Sequence, residues 1–423
     1  MEQQRRKEDE NLKPLANVLR MPEEEGNLNI TEYDKNTHAT NEKMLLKLFE
    51  KTLINFNYNV DVLGNFNYKI DANFFNASAM LEGLDYTIKD IELLVPIIER
   101  TYKNANIVFN YSIGIFVSAA INRIIKETDT INLDFTSMKV NYLGLYLPCG
   151  NLIIHGNVGD YTGSEMKGGN ITICGNAGNN TGEHMRGGSI IVDGNAGDAT
   201  GYSMHSGSIT IHGNAGNNTG NGMKNGSLTV GGNAGDFTGS CMQNGSITIQ
   251  YNAGDYTGMC LMGGSIMVVG NVNNYTGEQM DNGSITGGGN AGDYTGGYMK
   301  NGNIKVGGSA GEGTGRRMKN GNIKVDGNAG HYTGSSMENG SLTVGGSAGD
   351  YTGGYMKNGN IKVGGSAGKE TGEESYGGEI NVDGEINGVG AHTRAKIIYK
   401  GKLLNRSQVL LMGIRSILHN WFA

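Results

Sequence analysis

Four residues of metal-ligating type, His155, Cys174, Asp193 and His212, follow one another at steps of nineteen. Imidazole nitrogen, thiolate and carboxylate together make the donor set of a zinc-class site. That chemistry depends on convergence, because a tetrahedral ion takes its ligands from several directions. Residues repeating at a fixed step stand in a line, so two or three of them share one ion at most without a neighbouring column. The same positions read equally as a solvated strand face, and the column continues as Gly231 and Gln250.

A second column, Asp160, Asp198, Asp236, Asp255, Asp293 and Asp350, offers the oxygens that calcium takes, but Asn179, Asn217 and Asn274 interrupt it. The G-G-x-G-x-D nonapeptide of calcium-binding β-rolls does not occur at their period, and Asp and Asn are expected here as turn formers. Cys241 and Cys260 share a repeat position, which places their Cα atoms about 5 Å apart, a spacing a disulfide accepts. Two reduced thiols stacked by coincidence fit a cytosolic chain better. No Ser/His/Asp arrangement, phosphate loop or paired C-x-x-C stands out, so no enzyme class is supported and no cofactor is expected.

These residues are positioned by a repeat. From Thr162 the step of nineteen returns threonine at every stop through Thr371, twelve in all, each followed by glycine. From Ile171 it returns only Ile or Leu through Ile380; from Met166 it returns Met through Met356 with Leu261 as the one apolar substitute, ending at Ser375. Unbroken phase means twelve copies of one unit. The unit alternates apolar-x-apolar, which is a strand period, and a glycine every three or four residues would cost a helix about 1 kcal/mol per site. Asn-Gly pairs such as Asn225-Gly226 and Asn358-Gly359 mark one corner per coil, since both residues tolerate positive φ.

A chain turning the same corners and pairing each strand with the next coil is a β-solenoid. Its coils stack at about 4.8 Å into a column roughly 55 Å tall. Ile171, Ile173, Ala177 and Met166 head the expected core columns, and Asn176, Asn195, Asn214 and Asn233 an amide ladder. An aromatic column of Tyr161, Phe237, Tyr256, Tyr275, Tyr294, Tyr332 and Tyr351 either packs a corner or presents a strip to a partner. An outward Thr recurs on the strands, as at Thr172 and Thr210, but the second Thr of an ice-binding face is replaced by Cys174 and His212.

The glycines of each unit fall as G-x-x-G-x-x-x-G, as at Gly156, Gly159 and Gly163, broken at Tyr251 and Asn273. Over about residues 145–390 this resembles the GXGXG β-helix family. That family includes the C-terminal domain of the large subunit of glutamate synthase and the β-helical subunit of formylmethanofuran dehydrogenase. The resemblance implies a right-handed, single-stranded β-helix. It also implies a non-catalytic role, since in those enzymes the chemistry belongs to other domains or subunits and the β-helix is a scaffold. The expected organisation is a disordered tail over 1–36, an α+β domain over 37–145, the β-helix over 146–390, and a strand and capping helix over 391–423.

Composition splits the chain near residue 145 into a Gly-poor and a Gly-rich part. A net charge of −7 and a pI near 5.7 argue against a general nucleic-acid or anionic-membrane surface. The charged start Met1-Glu2-Gln3-Gln4-Arg5-Arg6-Lys7 lacks an apolar run, and the apolar stretch Ile113 to Ile121 is too short to span a bilayer. With four cysteines, the expectation is a cytoplasmic protein without a disulfide framework. Its partners are expected to be protein subunits, among them oxidoreductase or amidotransferase chains, or further copies of itself.

At the ends, the sequence predicts a helix over Asn41 to Phe56, strands over Tyr58 to Leu63 and Phe66 to Ile70, and a helix over Ile88 to Tyr102. It then predicts a strand over Ile107 to Asn110, a helix over Ile113 to Ile125, and strands over Ile131 to Phe135 and Leu143 to Leu147. An uncovered solenoid end exposes core and strand edge, so 40–145 either caps the first coil or binds a ligand. Lys396 to Tyr399 reads as a last strand and Ser407 to Phe422 as a helix that Ser407 can cap, with Trp421 and Phe422 over the final coil.

Overall fold

The computed structural model describes residues 41, 43–51, 66–102 and 107–412. Within them one strand per coil builds one sheet. Strands β1 (Thr130–Asp134), β2 (Asn151–His155) and β3 (Asn170–Ile173) begin a parallel succession that runs in chain order to β14 (Glu379–Val382) and β15 (Lys396–Tyr399). A short β16 (Lys402–Leu403) then turns back antiparallel on β15. Register follows the repeat, with Asn151 opposite Asn170 and Ile154 opposite Ile173. This is a β-solenoid of about fourteen turns, longer than the twelve repeats read from threonine. Its parallel strands run from Thr130 to Tyr399.

Each coil turns five side chains inward. In the coil of β3 these are Ile171, Ile173, Ala177, Thr181 and Met185, all buried, and the same columns stay buried along the rod. The surprise among them is the polar one. All twelve threonines are 0% exposed, and each hydroxyl donates to the carbonyl three residues back at 2.7–3.3 Å. A buried hydroxyl without a partner is costly. Here it takes up a corner carbonyl, and its methyl fills the core.

The side of the coil carrying Thr and Met is extended without being β. Along Tyr161, Gly163 and Glu165 φ is 62°, 70° and 54°, and the residues between are not left-handed. Alternate residues therefore face inward with a period of two, as in a strand, while amide groups point alternately up and down the rod. Tyr161 N–H bonds Asn179 O at 2.8 Å in the following coil, and Gly163 N–H bonds Leu143 O at 2.8 Å in the preceding one. At the Asn-Gly corners it is the glycine that takes positive φ, as at Gly226 (96°).

The first coil is covered by helices. Helix Ile107–Ile124 buries Ile113, Phe116, Val117, Ala120 and Ile121. It reaches the coil by polar contacts: Ser118 Oγ donates to Tyr142 O at 2.8 Å and accepts from Gly144 N at 2.9 Å, and Asn122 Nδ2 donates to Leu145 O at 2.8 Å. Approach is so close at Gly114 that a Cβ there would run into the Asn141 carbonyl. Helix Ile88–Tyr102 lays Glu92 and Glu99 along the edge of β1. Glu92 accepts from Asn132 N at 2.9 Å, and Glu99 accepts from Ser137 N and, at 3.2 Å, from Met138 N. Two carboxylates thus satisfy edge amides that would otherwise template another strand.

Several expected elements differ. Phe66–Met80 is one helix rather than a strand at Phe66 to Ile70, because Ile70, Phe74, Ala77 and Leu81 recur at helical spacing and are buried. Ile107 to Asn110 is the start of helix Ile107–Ile124 instead of a strand. Leu143 to Leu147 is a left-handed corner, with φ of 61° at Tyr142, 73° at Gly144 and 59° at Tyr146. The C-terminal helix begins after Asn405, not at Ser407: Asn405 Oδ1 accepts from Gln408 N at 3.0 Å while Gln408 Oε1 accepts from Asn405 N at 2.9 Å, a reciprocal cap. The expectations for 1–36, for Tyr58 to Leu63 and for Trp421 and Phe422 fall outside the described residues.

Candidate functional site

The column proposed for metal lies at the exposed end of the strands. His155 closes β2, and Cys174, Asp193 and His212 follow the next three strands, each in water. One pair meets: His212 Nδ1 lies 3.3 Å from Asp193 Oδ1, with side chains 60% and 50% exposed. Such a surface pair is worth roughly 0–1 kcal/mol. His155 and Cys174 join none of the others, and among the described residues no three His, Cys, Asp or Glu side chains converge on a metal position. The straightness of the rod is the reason, since equal steps along one line give no cage.

The Asp and Asn columns have a structural employment. Asp160 Oδ1 accepts from Asn179 N at 2.8 Å, Asn179 Oδ1 from Asp198 N at 2.8 Å, and Asp198 Oδ1 from Asn217 N at 2.7 Å. Each side chain thus caps an amide one coil on, which explains why acid and amide interchange there. The neighbouring column works the same way, with Asn176 Oδ1 accepting from Asn195 N at 2.8 Å and Ser347 Oγ accepting from Ser366 N at 3.0 Å. Asparagine and serine alternate because the position needs an acceptor. Amide-to-amide bonds join it only in places, as from Asn176 to Asn157 at 2.9 Å.

The aromatic column forms interrupted stacks on the left-handed corner. Phe237, Tyr256, Tyr275 and Tyr294 stand face to face with centroids 4.8, 4.7 and 5.3 Å apart and planes within 5°. Tyr332 and Tyr351 form a shorter stack at 5.2 Å, and Tyr161 rests on Tyr142 at 4.6 Å. The rings bury their faces against each other and leave their edges half exposed. The column therefore packs a corner, as one of the two expectations has it, with the ring edges facing outward.

A cluster that nineteen-residue columns do not reveal sits on the same corner in the first coils. Arg186 lays Nε and Nη2 on Glu165 Oε2 at 3.0 and 2.7 Å, a pairing across twenty-one residues that joins two columns. Beside it, burial and then the Glu165 charge push the Glu183 carboxyl up to about 6. Burial also lowers His184, against the pull of Glu165 and with further lowering from His205, Lys224 and Arg186. His184 Nε2 lies 3.6 Å from Glu183 Oε1. His205 Nε2 lies 2.7 Å from Lys224 Nζ, an ammonium that can only donate, and His205 Nδ1 is buried without a partner. The cluster holds a carboxyl that burial and a second carboxylate lift to about 6. Its side chains stand on an outward corner with Tyr202 38% exposed. Reading the sequence diagonally, at steps of twenty-one, is the signal that finds it.

Compared with family models, with curated proteins and with solved structures, the chain matches none. No helix among the described residues is long and apolar enough to cross a membrane.

Proposed function

We propose that this chain is a non-catalytic cytoplasmic scaffold whose β-solenoid holds partner subunits at fixed spacing. The observation that carries the reading is the half-exposed stack Phe237, Tyr256, Tyr275 and Tyr294. Tyrosine and phenylalanine supply large contact area at small entropic cost and are enriched where proteins meet. Fixed on a ladder of backbone bonds, these rings are ordered before a partner arrives, which lowers the cost of association. The GXGXG resemblance supports a narrower form in which the partner is an enzyme subunit of oxidoreductase or amidotransferase type.

The test uses a substitution the column already accepts. Asn180 and Asn218 occupy the aromatic position with φ of 57° and 59°, so changing Phe237, Tyr256, Tyr275 and Tyr294 to Asn removes the strip and keeps the coil. Affinity purification at low salt followed by mass spectrometry should recover a stoichiometric partner with the native chain and lose it with the variant. Recovery of the chain alone, or of the same partner from both, would sink the proposal. The recovered partner's own chemistry separates an enzyme subunit from a structural one.

A further inference from the structure

One stretch of the charged corner changes character abruptly. The position held by Lys167, Arg186, His205, Lys224, Gln243, Asp281, Lys300, Lys319, Glu338 and Lys357 holds Met262 in one coil. The position held by Glu183, Tyr202, Asn221, Ser240 and Glu278 holds Met259 in that same coil. The column between them carries Cys241 and Cys260, the two cysteines that share a repeat position. Four sulfur side chains thus gather on a face that is polar elsewhere, and Met262 is left 50% exposed.

The repeat sets three of them at neighbouring positions. Cys241 and Cys260 both have φ of 54°, so their side chains leave the rod in the same direction one coil apart. Met262 stands twenty-one residues after Cys241, the same diagonal step at which Arg186 reaches Glu165 at 2.7 Å and Lys167 lies over the Tyr146 ring at 5.6 Å. On the same diagonal Cys260 faces Asp281, but that carboxylate is already held by Lys300 Nζ at 2.6 Å. The hard ligand is thus engaged by a cation.

We propose that Cys241 and Cys260, with the Met262 thioether beside them, form a site for a soft monovalent metal ion of the Cu(I) and Ag(I) class. Thiolate and thioether select such ions. The coil spacing of about 4.8 Å nearly equals two metal–sulfur bonds of about 2.3 Å laid end to end, so a straight S–metal–S bridge needs only small side-chain rotation. This is a demand opposite to that of the His155 column, where a line of ligands defeats a tetrahedral ion. Binding by two thiols replaces two S–H bonds by two S–metal bonds and releases two protons, with no change of oxidation state.

The experiment titrates Ag(I) into the reduced full chain, counting free thiols with an aromatic disulfide reagent and protons with a pH-stat. The first equivalent should block two of the four thiols together and release two protons. Serine stands at the same repeat position as Ser203 and Ser336, so Cys241→Ser and Cys260→Ser keep the coil; in each, one equivalent should block a single thiol and release one proton. Met262→Gln should keep the two-thiol stoichiometry and weaken Cu(I) retention against a chelator about tenfold. The proposal is overturned if the native chain loses one thiol per equivalent as the variants do, if Cys174→Ser abolishes the paired loss, or if freshly isolated protein already carries a Cys241–Cys260 disulfide.

Discussion

Replacing Thr257 with valine, in parallel with Thr238, tests whether the buried threonine column is kept for its hydroxyl. Valine preserves shape and burial, so the change is the loss of one donor. Thr238 Oγ1 donates to Gly235 O at 2.8 Å, and that carbonyl also accepts from Gly254 N at 3.3 Å. Thr257 Oγ1 donates to Gly254 O at 2.9 Å. There the glycine one coil on is replaced by Asn273, and among the described residues no backbone N–H reaches the Gly254 carbonyl. Orphaning a buried acceptor costs about 1–3 kcal/mol; the methyl gained returns part of it, about 0.8 kcal/mol per buried carbon. The net expectation is a loss of about 1–2 kcal/mol for Thr257→Val and about 0.5 kcal/mol for Thr238→Val. Because coils of a solenoid open locally, the assay is hydrogen exchange read by mass spectrometry. Amides flanking residue 257 should exchange roughly 5–30 times faster in Thr257→Val, and those flanking 238 much less in Thr238→Val. Equal acceleration in the two variants, or none in Thr257→Val, would refute the reasoning and leave the column a packing feature.

Gly222 and Gly239 both have φ near 65°, yet a Cβ on Gly222 meets only Ser203 Oγ at 3.1 Å whereas one on Gly239 would overlap Ile266 Cδ1. Gly222→Asn should therefore leave the unfolding midpoint within about 0.5 kcal/mol and Gly239→Asn should lower it by several times that; equal effects would place the strain in the backbone alone. The Glu183 carboxyl titrates near 6 when folded, against 4.5 ordinarily. The folded state then holds a proton that the unfolded chain has given up, so this group's contribution to stability is full below pH 4.5 and is lost as pH rises toward 6. Glu183→Gln should flatten that dependence and raise stability at pH 7.5 by on the order of 1–2 kcal/mol; a parallel pH profile would contradict the assignment. Met242, 0% exposed, should lose several kcal/mol on change to Asp, which buries a carboxylate without a partner, and an unchanged melting temperature would place that column outside.

The repeat made the inward columns legible because in a solenoid one number fixes both the register and the face of every side chain. Contacts between columns escaped for the same reason. Glu165 meets Arg186 at a step of twenty-one, which a search at nineteen never compares. At the ends the difficulty lay in period. Phe66, Tyr68 and Ile70 alternate as a strand would, but over a longer window Ile70, Phe74, Ala77 and Leu81 keep a helical face, and burial follows the longer pattern. The segment Leu143 to Leu147 is the more instructive case. Leu143, Leu145 and Leu147 are buried at every second residue, yet Tyr142, Gly144 and Tyr146 are left-handed. Alternating left- and right-handed residues turn side chains in with the same period of two as a β-strand, so hydrophobic alternation cannot tell the two apart. Glycine can, because Gly144 and Gly150 stand nineteen residues before Gly163 and Gly169, as Tyr142 stands before Tyr161. Leu143 and Leu147 fill the places of Thr162 and Met166. The earliest coil was thus written in the glycines and the aromatic, and hidden only where leucine replaced the threonine used to count it. The helix Ile107–Ile124 packs on this coil, and its Ser118 hydroxyl donates to Tyr142 O at 2.8 Å and accepts from Gly144 N at 2.9 Å, while Val140 O, three residues before Leu143, accepts from Gly159 N at 2.9 Å and so has a donor without a threonine.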